Sequence, residues 1–217
     1  MKRASKIAVI GCATLAAMAI AFTRGDQPEM PPGMTPERAA MMEKCMLAAQ
    51  PGKMHAFLAE GAGVWDGRTK MWMMPDSAPI ESTCVSTVTV IMDGRFVKCD
   101  IVGEMPGMGA FVGSGFYGYN NVTGEFESTW IDNCSTGIMR GTGRLSSDNK
   151  KLTWKSNYTC PVTSKPCVVR EIETITGKNT RTLEMYGVDP LTGVEYKMME
   201  IAFTRRVGAE QAGAGTR

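Results

Sequence analysis

The sequence predicts an all-β protein, an antiparallel up-and-down barrel of about ten strands preceded by one or two short helices, and three observations predict it. From Gly63 onward apolar and polar residues alternate with a period of two, the pattern of half-buried strands. Turn-forming clusters interrupt that alternation every ten to fifteen residues. No helical stretch long enough to serve as a crossover lies between them, so consecutive strands pair as a meander, and closing the meander removes its exposed edges.

At the N-terminus, Lys2, Arg3 and Lys6 precede an uncharged apolar run from Ile7 to Phe22, and Ala19, Ile20 and Ala21 offer a small-x-small cleavage site. This order is that of a signal peptide at 1–21, and the run is too short for an ordinary membrane span. Val9, Ile10, Gly11 and Cys12 resemble a lipobox, but the apolar run continues past Cys12, so cleavage near Ala21 is preferred to a lipid anchor. A Pro-rich linker covers 22–34. Thr35, Pro36 and Glu37 then supply an N-cap, a first-turn proline and an early acid. Met42, Cys45, Met46 and Ala49 share one face of that helix, Gln50, Pro51 and Gly52 end it, and a second short helix is predicted from Lys53 to Glu60. The helices occupy 35–61 and the barrel 62–206. Its strands are separated by nine turns, at Pro75 to Pro79, Asp93 and Gly94, Met105 to Gly109, Asn120 to Gly124, Asn133 to Gly137, Ser147 to Lys150, Pro161 to Pro166, Gly177 to Asn179, and Pro190 to Gly193. The Gly- and Ala-rich tail at 207–217 is expected to be disordered.

Composition narrows the function. The 217 residues carry 24 Lys and Arg against 22 Asp and Glu, and loss of the leader leaves 21 against 22. That balance gives no basic footprint for nucleic acid. A single histidine argues against a histidine-based metal centre. Thioethers in the clusters at Met41 and Met42, Met71 to Met74, and Met198 and Met199 could bind a soft metal, but methionine far more often fills core space, so no metal is assigned. Gly113, Gly115 and Gly118 fit G-x-G-x-x-G, yet inside an alternating strand rather than between a strand and a helix. They give no dinucleotide site, and no motif calls for a cofactor.

An exported chain that has lost Cys12 keeps six cysteines, at 45, 84, 99, 134, 160 and 167. Cys160 and Cys167 flank Pro161 to Pro166, and a hairpin there would set them opposite each other at its neck and allow a disulfide. A hairpin turning at Asp93 and Gly94 instead pairs Cys84 with Gly103 and Val88 with Cys99, too far apart for a bridge.

Register identifies the interior. Pairing Asn120 with Glu125 sets Tyr119 against Phe126, Tyr117 against Ser128, Gly115 against Trp130 and Gly113 against Asp132. Pairing Leu145 with Leu152 sets Gly143 against Trp154 and Met139 against Tyr158. The other face of that second hairpin carries Arg140, Arg144, Lys151 and Lys155, so the aromatic face points inward. Continuing the register brings Val169, Glu171, Glu173 and Ile175 onto the same face. Tyr117, Tyr119, Trp130, Asp132, Trp154, Tyr158 and Glu171 are therefore the candidate ligand-binding residues. Glycine opposite both tryptophans either leaves room for a guest or simply accommodates the rings.

An ordered series carries a resemblance: Pro51 to His55; Gly63, Val64, Trp65, Asp66 and Gly67; Lys70 to Met73; Thr129 to Asn133 with Thr136 to Met139; Val169, Arg170 and Glu171; Glu184 to Tyr186; and Met199 to Ile201. It resembles the bacterial "domain of unknown function" family numbered 1579, over residues 36–206. The resemblance implies a calycin-like, lipocalin-like barrel and no established activity. Gly63, Val64 and Trp65 also resemble the G-x-W of lipocalin-like barrels, which implies a structural role for Trp65 under Arg205 or Arg206. Cys134 departs from the family pattern. A haem site of the kind found in the related nitrobindins would need a wall or loop histidine, and His55 is the one histidine.

Three functions follow from these readings. The preferred one is a periplasmic or secreted barrel that binds a small, partly apolar molecule, with no nucleic-acid partner and no membrane span. The second is an enzyme with Glu171, Asp132 or Glu200 as base and Tyr158 or Tyr117 as proton donor. The third is an envelope protein with a filled barrel and a working outer surface.

Overall fold

A computed structural model describes residues 33–207. The leader at 1–21, Cys12, the linker up to residue 32 and the tail from residue 208 lie outside the described residues. Helix α1 (Pro36–Ala48) begins where the Arg38 N–H donates to Thr35 Oγ1 at 3.4 Å and Pro36 takes the first helical position. It buries none of its residues, so the face that carries Met42, Cys45 and Met46 is exposed. The compact unit of the fold begins at Met42. Helix α2 (Lys53–Ala59) is capped by its own third residue: the Gly52 N–H donates to His55 Nδ1 at 2.9 Å. The same histidine is buried edge-on against Tyr119, with ring centroids 5.9 Å apart.

Ten strands follow: β1 (Gly63–Met71), β2 (Ile80–Ile91), β3 (Phe96–Met105), β4 (Gly109–Asn120), β5 (Glu125–Asp132), β6 (Met139–Leu145), β7 (Lys151–Thr159), β8 (Pro166–Gly177), β9 (Thr180–Val188) and β10 (Glu195–Arg205). Each pairs antiparallel with its sequence neighbours, and β1 also pairs with β10, which closes the barrel. Every break between strands falls at one of the turn clusters. At the β2–β3 turn Met92, Asp93 and Gly94 adopt φ values of 51°, 54° and 83°, a left-handed run that reverses the chain tightly.

The registers are those that alternation requires: Asn120 faces Glu125, Leu145 faces Leu152, Cys84 faces Gly103 and Val88 faces Cys99. Trp65, Val88, Val97, Phe126, Leu152, Trp154, Ile201 and Phe203 consequently point inward and form the buried core, joined by Leu58 from α2. Full burial of each such side chain contributes about 1.5–3 kcal/mol. Phe126 ties the helix to the wall, since its ring lies 6.0 Å from Phe57, 5.0 Å from Tyr119 and 6.2 Å from Trp154. Arg95 Nε and Asn121 Nδ2 donate to the carbonyls of Ala49 and Gln50 at 3.0 and 2.8 Å. Helix α2 therefore covers one end of the barrel, the near end, which carries the β2–β3, β4–β5, β6–β7 and β8–β9 turns.

One covalent expectation is overturned. All six cysteines of the described residues are free thiols, Cys160 and Cys167 included. Cys167 faces Tyr158, while the Cys160 N–H bonds the carbonyl of Lys165 at 2.9 Å. The pairing thus lies two residues from the predicted one, and the two cysteines are diagonal neighbours rather than a facing pair. No helix among the described residues is long and apolar enough to cross a membrane.

Candidate functional site

The near half of the barrel encloses a cavity of 430 Å³. Val88, Val97, Ile101, Leu152, Leu183 and Phe203 supply its apolar walls, and Phe57 and Leu58 of α2 lie over it. Exposed Glu60, Gly177, Lys178 and Thr180 form a rim between α2 and the β8–β9 turn. The polar groups inside are few: Ser86, Cys99, Tyr117, Glu171, Glu173 and Arg181.

Glu171 Oε1 accepts a hydrogen bond from Ser156 Oγ at 2.7 Å, and no other donor among the described residues bonds its carboxyl group. Burial raises the Glu171 pKa above its ordinary value; the Ser156 bond opposes this and the charge of Glu173 adds to it. Glu173 Oε1 is held at 2.8 Å by Arg181, whose guanidinium also stacks on Trp65 at 4.2 Å and Phe203 at 5.3 Å. The Tyr117 hydroxyl has no hydrogen-bond partner among the described residues, and its ring meets Trp154 edge-on at 5.4 Å. Burial, followed by the neighbouring Cys99, Glu171 and Glu173, drives the Tyr117 pKa well above normal. Burial also pushes the Cys99 thiol up, and its sulfur lies 3.3 Å from Ser86 Oγ.

The seven candidate ligand-binding residues do not meet in one place. Tyr117, Trp154 and Glu171 line the cavity. Tyr119 lies beneath α2, between His55 and Phe126. Trp130, Asp132 and Tyr158 occupy the far half, and none of them lines the cavity. Tyr158 is four residues beyond Trp154 on β7, roughly 13 Å at about 3.3 Å per residue. Trp130 Nε1 donates to Asp132 Oδ2 at 3.0 Å, and Asp132 Oδ1 accepts the Cys134 N–H at 2.9 Å.

The glycines opposite the tryptophans hold no open space. A Cβ on Gly115 would stand 2.9 Å from the Trp130 ring, and one on Gly143 would stand 2.6 Å from the Trp154 ring. The missing side chains are filled by indole. Glu200 lies on the outer wall, opposite in facing to buried Ile201, and pairs with Lys197 at 2.6 Å. It is therefore not an interior carboxylate.

Trp65 and Arg205 face each other across the β1–β10 seam, with the guanidinium 4.2 Å from the indole. Trp65 Nε1 donates to the Gly61 carbonyl at 2.9 Å, while Arg205 donates to the carbonyls of Ala62 and Glu60. The last strand thereby clamps the link between α2 and β1. Arg206 turns outward to Asp66 at 2.6 Å.

The family described as "Protein of unknown function (DUF1579)" matches residues 50–205, which include α2 and every strand of the barrel. The chain belongs to this family. Among solved structures, this DUF1579 barrel is similar to Rv2717c from M. tuberculosis, at 13% identity and a TM-score of 0.55, covering 73% of this chain and 100% of that one. It is also similar to the S-type phycobiliprotein lyase CPES from Guillardia theta, at 8% identity and a TM-score of 0.51, covering 72% of this chain and 94% of that one. At these identities the likeness establishes the calycin-like fold alone. No curated protein gives a significant match.

Arg181 is the DUF1579 site residue that the sequence reading missed. It stands alone between Thr180 and Thr182, with no motif around it. The turn at Gly177 could not supply the signal: pairing Gly177 with Thr180 would set Arg181 against Thr176, and it is an irregularity between Ile175 and Gly177 that brings Arg181 against interior Ile175. Phe57 and Leu58 were missed for a different reason: nothing in a helical pattern says which strand ends it covers.

Proposed function

We propose that the protein is an exported binding barrel whose near-end cavity takes a small, partly apolar molecule. The observation that carries the reading is a 430 Å³ cavity with mostly apolar walls and a few convergent polar groups at its depth, the arrangement typical of small-molecule sites. The order of basic, apolar and small residues at 1–21 supports export to the periplasm or beyond. N-terminal sequencing of protein recovered from its host tests this: a chain starting near Phe22 in the extracytoplasmic fraction is expected, and an intact Met1 in the cytosol would contradict it.

Titration with the uncharged apolar probe N-phenylnaphthylamine tests the binding reading. One molecule per chain should bind with enhanced probe emission and altered tryptophan emission, because Trp65 and Trp154 line the cavity. Leu183→Trp, which adds volume to the wall, should abolish binding while leaving the circular dichroism spectrum intact. Failure of the wild-type protein to bind the probe would remove the reading.

A second reading has one specific observation in its favour: the raised carboxyl of Glu171 shares the cavity with the unpartnered Tyr117 hydroxyl. Perturbed groups converging in a cleft suit acid–base chemistry. On that reading Glu171 is the base and Tyr117 the proton donor, and Glu171→Gln would reduce turnover by about a hundredfold or more.

A further inference from the structure

We propose that the molecule taken by this cavity is an organic cation, a protonated amine on an apolar body, whose ammonium group binds between Glu171 and the rings of Tyr117 and Trp154. The inference rests on the binding reading and deepens it.

Charge decides among ligand classes. The residues around the cavity include three acids, Glu60, Glu171 and Glu173, and two bases, Lys178 and Arg181. Glu60 and Lys178 are exposed at the rim. Inside, Arg181 is committed to Glu173 at 2.8 Å and stacked on Trp65 and Phe203. Its Nε is the single buried side-chain nitrogen or oxygen among the described residues with neither accessible surface nor a partner, so it does not face the cavity. Glu171 is left as the deep carboxylate without a cation. Its one bond comes from Ser156, and Met185, its neighbour on β9, offers no donor.

An anionic guest would place a further negative charge beside Glu171 and Glu173 with no free cation to receive it. A purely apolar guest would displace water from the Glu171 carboxyl and the Tyr117 hydroxyl and leave both unsatisfied, which is costly. An ammonium satisfies both conditions: it donates to the open Glu171 oxygen, and the aromatic faces of Tyr117 and Trp154 attract it through their quadrupoles. Tyr117 can also accept a second N–H through its hydroxyl oxygen. The apolar body then fills the space between Val88, Leu152, Leu183 and Phe203.

Competition against bound N-phenylnaphthylamine tests the class with three isosteres: phenylbutylamine, phenylbutanol and phenylbutyrate. The amine should displace the probe at least about tenfold more effectively than the alcohol, the scale of a hydrogen bond between charged groups, and the carboxylate should be the weakest. In Glu171→Gln the preference of amine over alcohol should collapse while probe affinity is kept. If the probe binds and the alcohol or the carboxylate competes as well as the amine, the cation proposal fails and the binding barrel stands. If Glu171→Gln binds the probe and retains the full preference for amine, the assignment to Glu171 fails. If the wild-type protein binds no probe, both readings fail together.

Discussion

At the scale of single residues, Glu171 bears on stability through its titration, whereas the Tyr117 hydroxyl contributes little. Burial raises the Glu171 carboxyl above its ordinary value of 4.5, so the native state favours the protonated form more than the unfolded chain does. For a raised acid the favourable contribution is complete below the unfolded pKa and is lost as pH rises through the native one. Glu171→Gln keeps the acceptor for Ser156 and removes the titration. The variant should therefore melt close to wild type near pH 4 and above it near pH 8, as read by calorimetry at both pH values. A wild-type advantage that grows with pH would mean that the carboxylate is ionised and well paired in the free protein. Tyr117→Phe removes a hydroxyl that no atom of the described residues bonds, and its unfolding free energy should stay within about 0.5 kcal/mol of wild type in urea titrations. A loss well above that would reveal a partner for the hydroxyl.

At the scale of the element, β4 and β5 are fitted to each other by the indole of Trp130 lying over Gly113 and Gly115. Gly113→Ala would place its Cβ 2.2 Å from that ring, an overpacking expected to cost about 1–3 kcal/mol. Adding Trp130→Leu should recover part of the loss, and the coupling in a double-mutant cycle measures the contact; strictly additive effects would refute it. The same strands show what a sequence reveals about a barrel. Alternation has two outcomes, inward or outward, so Tyr117, Trp130, Trp154 and Glu171 could be assigned to one face from the turns alone. Height along the barrel leaves no such trace. Trp130 and Trp154 look equivalent in the sequence, each opposite a glycine, yet Trp154 lines the cavity and Trp130 fills the far half. Glu200 belongs to the outer wall because Ile201 and Phe203 take the inner one. The cysteine pair failed by a register offset of two residues, which keeps both faces unchanged: Cys160 bonds across the turn to Lys165 rather than facing Cys167.

At the scale of the whole molecule, closure rests on a pairing between the first strand and the last. Trp65 faces Arg205, and the Arg206 to Asp66 ion pair on the same seam spans 140 positions of sequence. Loop-closure entropy opposes such a contact until the intervening hairpins have formed. Barrels dominated by non-local pairings fold in roughly milliseconds to seconds, and the seam is expected to form last. Arg205→Ala should then accelerate unfolding and leave the refolding rate unchanged, a result visible in the two limbs of a stopped-flow chevron. Slowed refolding in proportion to the lost stability would instead put the seam in the nucleus. A late seam has a consequence in time. Phe203 on the last strand walls the cavity, and Arg205 two residues later clamps the helix that covers it. A chain that has built nine strands therefore has no container to offer, and a guest is held only by molecules whose folding is finished.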